Sequence, residues 1–553
     1  MSTNTEDDSF HPLGPEWEEQ LEAMLEDTEY DTELGLAMAE DAQRLVAGEM
    51  TEAEFHEKYH ADVLEEFGED ERPTADAWED SQRGDGVFGT LSSVDDGEES
   101  RRSVMKKMGV GAGALGVGAF GATQDAPGGS GGGTASADRD DNPRQWGMTI
   151  DLEVCDGCLS CMTACSEENN LDSGVNWMYV LAWEDSNTDS PVPDEDWFGG
   201  DDVRDFNYLV RPCQHCSDAP CEKVCPTTAR HTRRKDGLVL TDYDICIGCR
   251  YCQVACPYGV NYFQWEEPTV SESAIADAAD HGDHIHADGR PVDSRAPRGV
   301  MSKCTMCPTR QDGDHGDQSV GTTACMDACP PGAIQFGDVT DEASNPSIYA
   351  EHPVVGRALE DEITGDLPPA DDLADDLDGD DLTIDDVVDG DNEMSQMLIE
   401  MVQAIDLLME DLDIDPDDET PGAFGPLIGQ VRDVSDVLRD HGVDIGSGAV
   451  LEELGFVSDG DDFSEREVRN GAERILGSYK GTHVSDFKLL ENYGTNPNIT
   501  YIGNEPGPQA EQVDHWISID DFSYTGADGS EIDLVDNRKD VLDERTFGGG
   551  LGP

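Results

Sequence analysis

The residues with the clearest chemical meaning are the 16 cysteines, all of which fall into four short runs. The first and third runs have the spacing Cys-x2-Cys-x2-Cys-x3-Cys, and the second and fourth keep that plan with longer gaps. Three thiolates on such a loop reach three irons of one [4Fe–4S] cluster, and the fourth thiolate reaches the other cluster of a pair. The runs are Cys155, Cys158, Cys161 and Cys165; Cys213, Cys216, Cys221 and Cys225; Cys246, Cys249, Cys252 and Cys256; and Cys304, Cys307, Cys325 and Cys329.

Two other uses of cysteine fit these runs poorly. Structural zinc is normally held by pairs of ligands, whereas here triplets are followed by a single cysteine. Disulfides are common in exported chains, but three cysteines within seven residues, as in 155–161, cannot all pair locally without strain. We therefore expect four [4Fe–4S] clusters, with no cysteine left over.

Acidic residues dominate the rest of the chain. The 553 residues include 123 Asp and Glu against 34 Lys and Arg, which gives a formal net charge of -89. The excess is spread over the whole sequence, which is typical of a surface that stays hydrated in concentrated salt and predicts an extreme halophile. Nucleic-acid binding is excluded, because it requires Lys and Arg at the phosphates.

The elements that must position the cysteines begin with an N-terminal segment. Residues 1–70 have the apolar spacing of a small helical domain. Thr51 and Glu54 form a capping box at the start of one predicted helix, and Gly68 follows its end. Residues 71–99 are acidic and rich in turn-forming residues, so we predict a linker there.

Arg101 and Arg102 open a segment, residues 100–137, that resembles a twin-arginine export signal with a Gly-rich linker. Lys106 follows the pair, and residues 108–122 form an uncharged stretch of 15 residues. That stretch is too short to span a bilayer, and no other apolar run reaches about 20 residues, so we expect no transmembrane helix. About 100 residues precede the pair, whereas export signals belong at the N-terminus.

All the cysteines lie in residues 145–345, which carry an acidic insertion at about 268–300. A second acidic insertion, residues 355–480, is predicted to be partly helical, and residues 506–553 are predicted to be an acidic tail. Helical spacing and a capping pair mark three helices in the second insertion. The residues are Met394, Met397, Met401, Ile405 and Leu408; Leu427, Val431, Val434 and Leu438; and Ser464 with Glu467.

The sequence around the cysteines is also distinctive. The matching segments are 148–151, 214–215, 219–220, 236–239, 247–252 and 336–338, with a closing segment at 484–505 that contains 489–497 and 501–503. In these segments the chain resembles the four-cluster ferredoxin-type subunit of the molybdopterin oxidoreductases, which include dimethyl sulfoxide, polysulfide, thiosulfate and tetrathionate reductases. The resemblance implies an α+β fold, a bacterial-ferredoxin-like core of two two-cluster modules. The helical N-terminal domain and both insertions depart from the pattern.

The resemblance also implies that ligands cross between runs, which defines four ligand groups. Group 1 is Cys155, Cys158, Cys161 and Cys329, and group 2 is Cys304, Cys307, Cys325 and Cys165. Group 3 is Cys213, Cys216, Cys221 and Cys256, and group 4 is Cys246, Cys249, Cys252 and Cys225. Some relatives have a Trp in the third run and a three-iron cluster, but here that position is Cys249.

By the same resemblance, the chain is a non-catalytic relay between a quinol-handling integral membrane subunit and a molybdopterin catalytic subunit. The export signal implies the outer face of the cytoplasmic membrane; without export the complex would lie on the cytoplasmic face. An iron–sulfur subunit of a formate dehydrogenase or hydrogenase is the alternative of the same chemistry. Those relatives often carry a C-terminal membrane helix, which we do not expect here.

A different class of function would centre on residues 56–60, which match the zinc-protease motif H-E-x-x-H. We interpret this motif as a solvated helix edge, because the sequence offers no evident third ligand and Phe55 and Tyr59 occupy the packing face. A zinc-dependent hydrolase is therefore the distant alternative. His281, His284 and His286 lie in the first insertion and are interpreted as part of a polar loop.

Overall fold

The N-terminal segment folds into four helices. The computed structural model describes residues 15–26, 28–84, 144–184, 207–265, 296–360 and, with short breaks, 367–535. The helices are α1 (Pro15–Glu26), α2 (Thr32–Val46), α3 (Glu52–Phe67) and α4 (Ala75–Gly84). The capping box of Thr51 and Glu54 is confirmed, and Gly68 ends α3 with a φ of 81°, a left-handed conformation that glycine adopts without strain.

Part of the predicted linker belongs to this helical segment. Arg72 and Thr74 are fully buried, and α4 packs against α3. The prediction of a linker over 71–99 therefore differs from the structure for residues 71–84. The sequence signal misled because the exposed Glu71 and Glu79 dominate the composition of this stretch, while only Arg72, Pro73 and Thr74 among its described residues are buried.

The described residues of the cysteine region form short strands and five helices, of which all but the first are single turns. The strands, with those of the C-terminal part, are β1 (Trp146–Asp151), β2 (Tyr179–Glu184), β3 (Asn207–Arg211), β4 (Arg230–Thr232), β5 (Val239–Thr241), β6 (Tyr262–Phe263), β7 (Met301–Ser302), β8 (Ile334–Asp338), β9 (Asp486–Phe487), β10 (Ile499–Ile502), β11 (Glu511–Val513), β12 (Ser523–Thr525) and β13 (Glu531–Asp533). The helices are α5 (Ser160–Glu168), α6 (Pro220–Lys223), α7 (Tyr251–Val254), α8 (Pro308–Gln311) and α9 (Ala324–Asp327).

The main sheet joins distant parts of the chain. Its order is β8-β1-β10-β9, with β1 and β10 parallel and the other pairs antiparallel. Met148 pairs with Phe336 on one side and with Ile499 on the other. The closing segment thus contributes the strand beside β1, and the architecture is a mixture of helices and small sheets.

The described part of the acidic tail, as far as residue 535, contains short strands. Strand β11 pairs with β2, which also pairs with β3, and β12 pairs with β13. Ile519, Tyr524 and Ile532 are buried in the same hydrophobic core as the cysteines. Nothing in the sequence indicated these strands, because very short apolar strands leave little periodic signal in an acidic background.

The second acidic insertion is a helical unit with its own hydrophobic core. The helices that form this core are α10 (Asn345–Glu351), which precedes the insertion, α11 (Pro353–Glu360), α12 (Ala370–Asp376), α13 (Ile384–Val388), α14 (Gln396–Met409), α15 (Phe424–Asp440), α16 (Gly448–Glu453) and α17 (Glu465–Lys480). The predicted cap is confirmed, because the Ser464 side chain accepts a hydrogen bond from the Glu467 backbone. Met401, Ile405 and Leu408 are buried, but Met397 is 43% exposed.

Several predictions fall outside the described residues. They concern Arg101 and Arg102 with the rest of the signal-like segment, the histidines of the first insertion, and the last 18 residues of the tail, 536–553. Within the described ranges, no helix combines the length and apolar character needed to cross a bilayer.

Candidate metal centre: four groups of cysteines

Backbone shape brings the cysteines of each run together. In the first run Gly157 and Leu159 both have positive φ, and in the third run Gly248 and Arg250 repeat this pattern. These residues form tight turns in each cysteine loop. Helix α5 begins directly after the turns of the first run, and helix α7 after those of the third. A Cβ on Gly248 would lie 2.1 Å from the Gly299 carbonyl oxygen, so only glycine fits this turn.

The cysteines of groups 3 and 4 each surround one cavity. One cavity is lined by Cys213, Cys216, Cys221 and Cys256, and the other by Cys225, Cys246, Cys249 and Cys252. Each cavity therefore receives three cysteines from one run and one from the other, as the resemblance implies. We call these the group 3 cavity and the group 4 cavity.

The cysteines of groups 1 and 2 come from runs that pack together, since helix α5 of the first run contacts helix α9 of the fourth. Burial raises the pKa of Cys161 well above its ordinary value, and the nearby Cys155, Cys325, Cys329 and Cys158 raise it further. Burial likewise raises the pKa of Cys165, with further increases from Cys304, Cys307, Cys325 and Cys161. The first run therefore lies beside the fourth, and Cys325 lies close to both groups.

The donor set fits [4Fe–4S] clusters. All 16 cysteines are free thiols and 12 of them are buried. Several cysteines share each small space. Repulsion between neighbouring thiolates, together with burial, opposes their ionisation. Positively charged iron removes that obstacle, because cluster ligands are thiolates.

Three buried polar side chains around the cysteines were not singled out as functional by the sequence. His215 connects the second and fourth runs: its Nδ1 accepts a hydrogen bond from the Val239 backbone at 3.0 Å, and its Nε2 donates to the Cys304 carbonyl at 2.9 Å. Lys303 donates to that same carbonyl and to the Val239 carbonyl. Arg230 has its guanidinium 3.7 Å from Cys252 Sγ. Of these, only His215 lies in a segment that carried the resemblance.

The N-terminal helices cover the third run. Tyr251 donates a hydrogen bond from its hydroxyl to the Asp31 carbonyl at 2.7 Å, and Arg250 donates to the Met24 carbonyl at 2.5 Å. The Tyr251 ring also packs edge-on against Phe67. Leu21 and Phe55 belong to the same buried core as the cysteines. This segment is therefore part of the structure around the group 4 cavity.

The H-E-x-x-H motif is not a solvated helix edge. His56 is 1% exposed, and Asp70 lies near both histidines, 2.9 Å from Nδ1 of His60 and 3.6 Å from Nε2 of His56. Asp70 therefore offers the third ligand atom that was not evident in the sequence. However, Arg72 donates two hydrogen bonds to the Asp70 carboxylate, each 2.8 Å long. Glu57, the base of such a motif, is exposed. His56 Nδ1 lies 3.1 Å from the Thr74 hydroxyl, so the group ties residues 70–74 to α3.

Comparisons with known proteins agree with this geometry. Residues 11–75 match the family model for the N-terminal region of 4Fe-4S ferredoxin iron–sulfur binding, and residues 204–280 match the 4Fe-4S dicluster domain. A dimethyl sulfoxide reductase iron–sulfur subunit of Halobacterium salinarum is 40% identical over 37% of this chain and 70% of its own length. The menaquinone reductase iron–sulfur cluster-binding subunit of Nitratidesulfovibrio vulgaris is 35% identical over 35% of this chain and 75% of its own. The arsenate respiratory reductase iron–sulfur subunit of a Shewanella species is 36% identical over 36% of this chain and 85% of its own length.

Proposed function

The chain belongs to the ferredoxin-type iron–sulfur subunits of the molybdopterin oxidoreductase family, and we propose that it relays electrons between a molybdopterin catalytic subunit and a quinol-handling membrane subunit. The relatives are named as iron–sulfur subunits of reductases, so this chain is an electron-transfer subunit of an oxidoreductase complex. It carries [4Fe–4S] clusters. The identities of the two partners are our proposal.

We propose four clusters, one in each ligand group. The observation that carries this proposal is the grouping of the cysteines. The cavities of groups 3 and 4 are each lined by four cysteines from two runs, and the thiols of groups 1 and 2 influence one another electrostatically. No cysteine of the sequence lies outside these four groups.

A [4Fe–4S] cluster supplies reversible one-electron storage, and the protein sets its potential through burial, hydrogen bonds to sulfur and nearby charge. The side chains here are arranged for that task. Asn169 donates a hydrogen bond to Cys165 Sγ at 3.7 Å, and the Arg230 backbone donates to Cys225 Sγ at 3.3 Å. The Thr323 hydroxyl lies 3.3 Å from Cys325 Sγ. The N-terminal helices contact Arg250, which lines the group 4 cavity, and the neighbouring Tyr251.

The complex is proposed to work on the outer face of the cytoplasmic membrane after twin-arginine export. Support comes from Arg101 and Arg102 with the uncharged stretch that follows them in the sequence. That route carries folded cargo, which suits a chain whose clusters are inserted before transport. If the segment is not used as a signal, the same complex would work on the cytoplasmic face.

Two alternatives remain distinguishable by experiment. A formate dehydrogenase or hydrogenase subunit would use the same clusters, but the relatives of this chain are named for reductases of dimethyl sulfoxide, menaquinone and arsenate. A zinc-dependent hydrolase at residues 56–60 is disfavoured by the pairing of Asp70 with Arg72.

The test is purification of the tagged chain from membranes of its own cells in high salt. We expect molybdenum and a membrane subunit to copurify, and the clusters, followed by EPR, to be reduced by a menaquinol analogue. Reduction by formate or hydrogen, and not by the quinol, would assign the chain to the alternative complexes. Recovery of the chain without molybdenum or any partner would contradict the proposal.

A further inference from the structure

Arg230 is a buried cation between two groups of cysteines. It begins strand β4, is 1% exposed, and lines the group 4 cavity. Within the described residues, no carboxylate pairs with its guanidinium. Arg233, three residues along the chain, is by contrast paired with Asp236 and Asp312. A buried charge without a counter-ion is strongly destabilising, so Arg230 needs a negative partner that the protein side chains do not supply.

The guanidinium also has unused donors. Its Nη2 donates to Asn261 Oδ1 at 2.7 Å and lies 3.7 Å from Cys252 Sγ. Its Nε and Nη1 are buried and have no hydrogen-bond partner among the residues that the structure describes. Buried donors are rarely left unsatisfied in native proteins. Two orphaned N–H donors beside a cavity lined by thiols indicate an acceptor in that cavity, and the sulfurs of a negatively charged cluster have the required chemistry.

The charge of Arg230 acts on both groups 3 and 4. Burial raises the pKa of Cys221, and the charge of Arg230 opposes that rise. Burial also raises the pKa of Cys256 in group 3 and of Cys246 in group 4, and the charge of Arg230 lowers both. Asn261, which holds the guanidinium, lines the group 3 cavity, while Arg230 lines the group 4 cavity. The residue therefore lies in the partition between the two sites.

We propose that Arg230 is a shared tuning residue that raises the reduction potentials of the two clusters of groups 3 and 4 together. A nearby positive charge stabilises the more negative, reduced form of a cluster, and its effect is strong where water is excluded. One cation in the partition keeps both sites reducible and links their potentials. This inference rests on the proposed ligand groups, and it adds a residue that is not a ligand.

Arg211 provides a comparison within the molecule. It is 2% exposed and its Nε also lacks a hydrogen-bond partner. Its Nη2 donates a hydrogen bond to the Gly259 carbonyl at 3.3 Å, three residues after Cys256 of group 3, and the residue does not line the group 4 cavity. Arg211 should therefore influence the group 3 cluster alone, whereas Arg230 should influence both.

The experiment is an EPR-monitored redox titration of the full chain, with iron content measured first for each variant. Arg230→Gln keeps N–H donors but removes the charge, and Arg230→Lys keeps the charge. We expect Arg230→Gln to lower the equilibrium constant for reduction at least tenfold at two signals, about 59 mV for a one-electron couple. Arg230→Lys should stay near the wild-type values, and Arg211→Gln should move only one of those two signals.

Asn261→Asp is the second variant, because it places a carboxylate against the guanidinium while leaving Arg230 in place. It should lower the same two potentials. It also tests whether the charge of Arg230 sets them if Arg230→Gln fails to retain iron. If Arg230→Gln retains its iron and both potentials are unchanged, the inference is overturned. If Arg230→Gln loses its iron, unchanged potentials in Asn261→Asp overturn it. A wild-type chain that lacks four clusters would instead overturn the proposed function, so the two failures are distinguishable.

Discussion

The cysteine region and the second acidic insertion are stabilised in different ways. The core around the cysteines includes the N-terminal helices and the main sheet, and it contains buried thiols and buried arginines with unsatisfied N–H donors. The insertion has a separate core of aliphatic, methionine and aromatic side chains that contains no cysteine among the described residues. We infer that the first region needs its cofactors to be stable, because uncompensated buried groups are costly, whereas the second folds through ordinary hydrophobic burial. This difference leads to four predictions.

The largest effect is expected from removing a cysteine. Cys213→Ala and Cys256→Ala lie in different runs but line the same cavity. Both should lose the same EPR signal and about four irons of roughly sixteen, because one missing thiolate ligand opens the cluster. Cys249→Ala, in the same run as Cys256, is the control and should remove a different signal. If Cys249→Ala and Cys256→Ala lose the same signal, the ligands do not cross between runs. Circular dichroism should show that the helices of the insertion are retained in all three variants.

The next largest effect concerns the contact between the two regions. Arg357 of α11 donates to the Asp151 carboxylate of β1 through Nε at 2.7 Å and Nη2 at 3.0 Å, and Asp151 is fully buried. Arg357→Met leaves that carboxylate buried and unpaired, so we expect a loss of about 3–5 kcal/mol in the free energy of unfolding. Arg439→Met is the control, because Arg439 is an exposed ion-pair residue worth about 0–1 kcal/mol. Denaturant titration measures both, and equal losses would show that the two regions are not joined through Arg357.

A smaller effect is expected at the contact of α2 with the third run. A Cβ added at Gly35 would lie 2.6 Å from the Tyr251 ring, so Gly35→Ala must displace the helix or the ring. We expect a cost of about 1–3 kcal/mol and faster loss of one cluster to an iron chelator. Gly477→Ala in α17 is the matched control, since its nearest contact is a Thr482 methyl at 3.0 Å. Equal chelation rates in the two variants would mean that the N-terminal helices do not protect the group 4 site.

The smallest effect is expected at the helix N-caps. Thr51→Ala and Ser464→Ala each remove a cap hydrogen bond and should cost about 1 kcal/mol. Because α3 packs with the cysteine core and α17 with the insertion core, only Thr51→Ala should also speed iron loss. Thermal unfolding and chelation measured on the same samples test this. A faster iron loss in Ser464→Ala would contradict the expectation that the stability of the insertion is independent of the clusters.

The sequence predicted what local patterns encode. The spacing of the cysteines, the capping box of Thr51 and Glu54, and the cap at Ser464 each depend on residues a few positions apart. Such patterns have direct physical meanings, so the order of the residues along the chain is enough to interpret them.

Long-range contacts could not be predicted in this way. Nothing near Met24 indicates that its carbonyl accepts a hydrogen bond from Arg250, which lies 226 residues away. Likewise, the burial of His56 depends on the return of residues 70–74 to α3. The placement of Arg230 between two cavities depends on how β4 packs, and an isolated arginine in the sequence gives no sign of it.

The central claim is that this chain holds four [4Fe–4S] clusters for electron transfer, and one measurement tests it most directly. Metal analysis combined with EPR spin quantitation on the fully reduced, full-length chain should give about sixteen irons and about four unpaired spins per chain. Stoichiometric zinc with little iron and no EPR signal on reduction would contradict the claim.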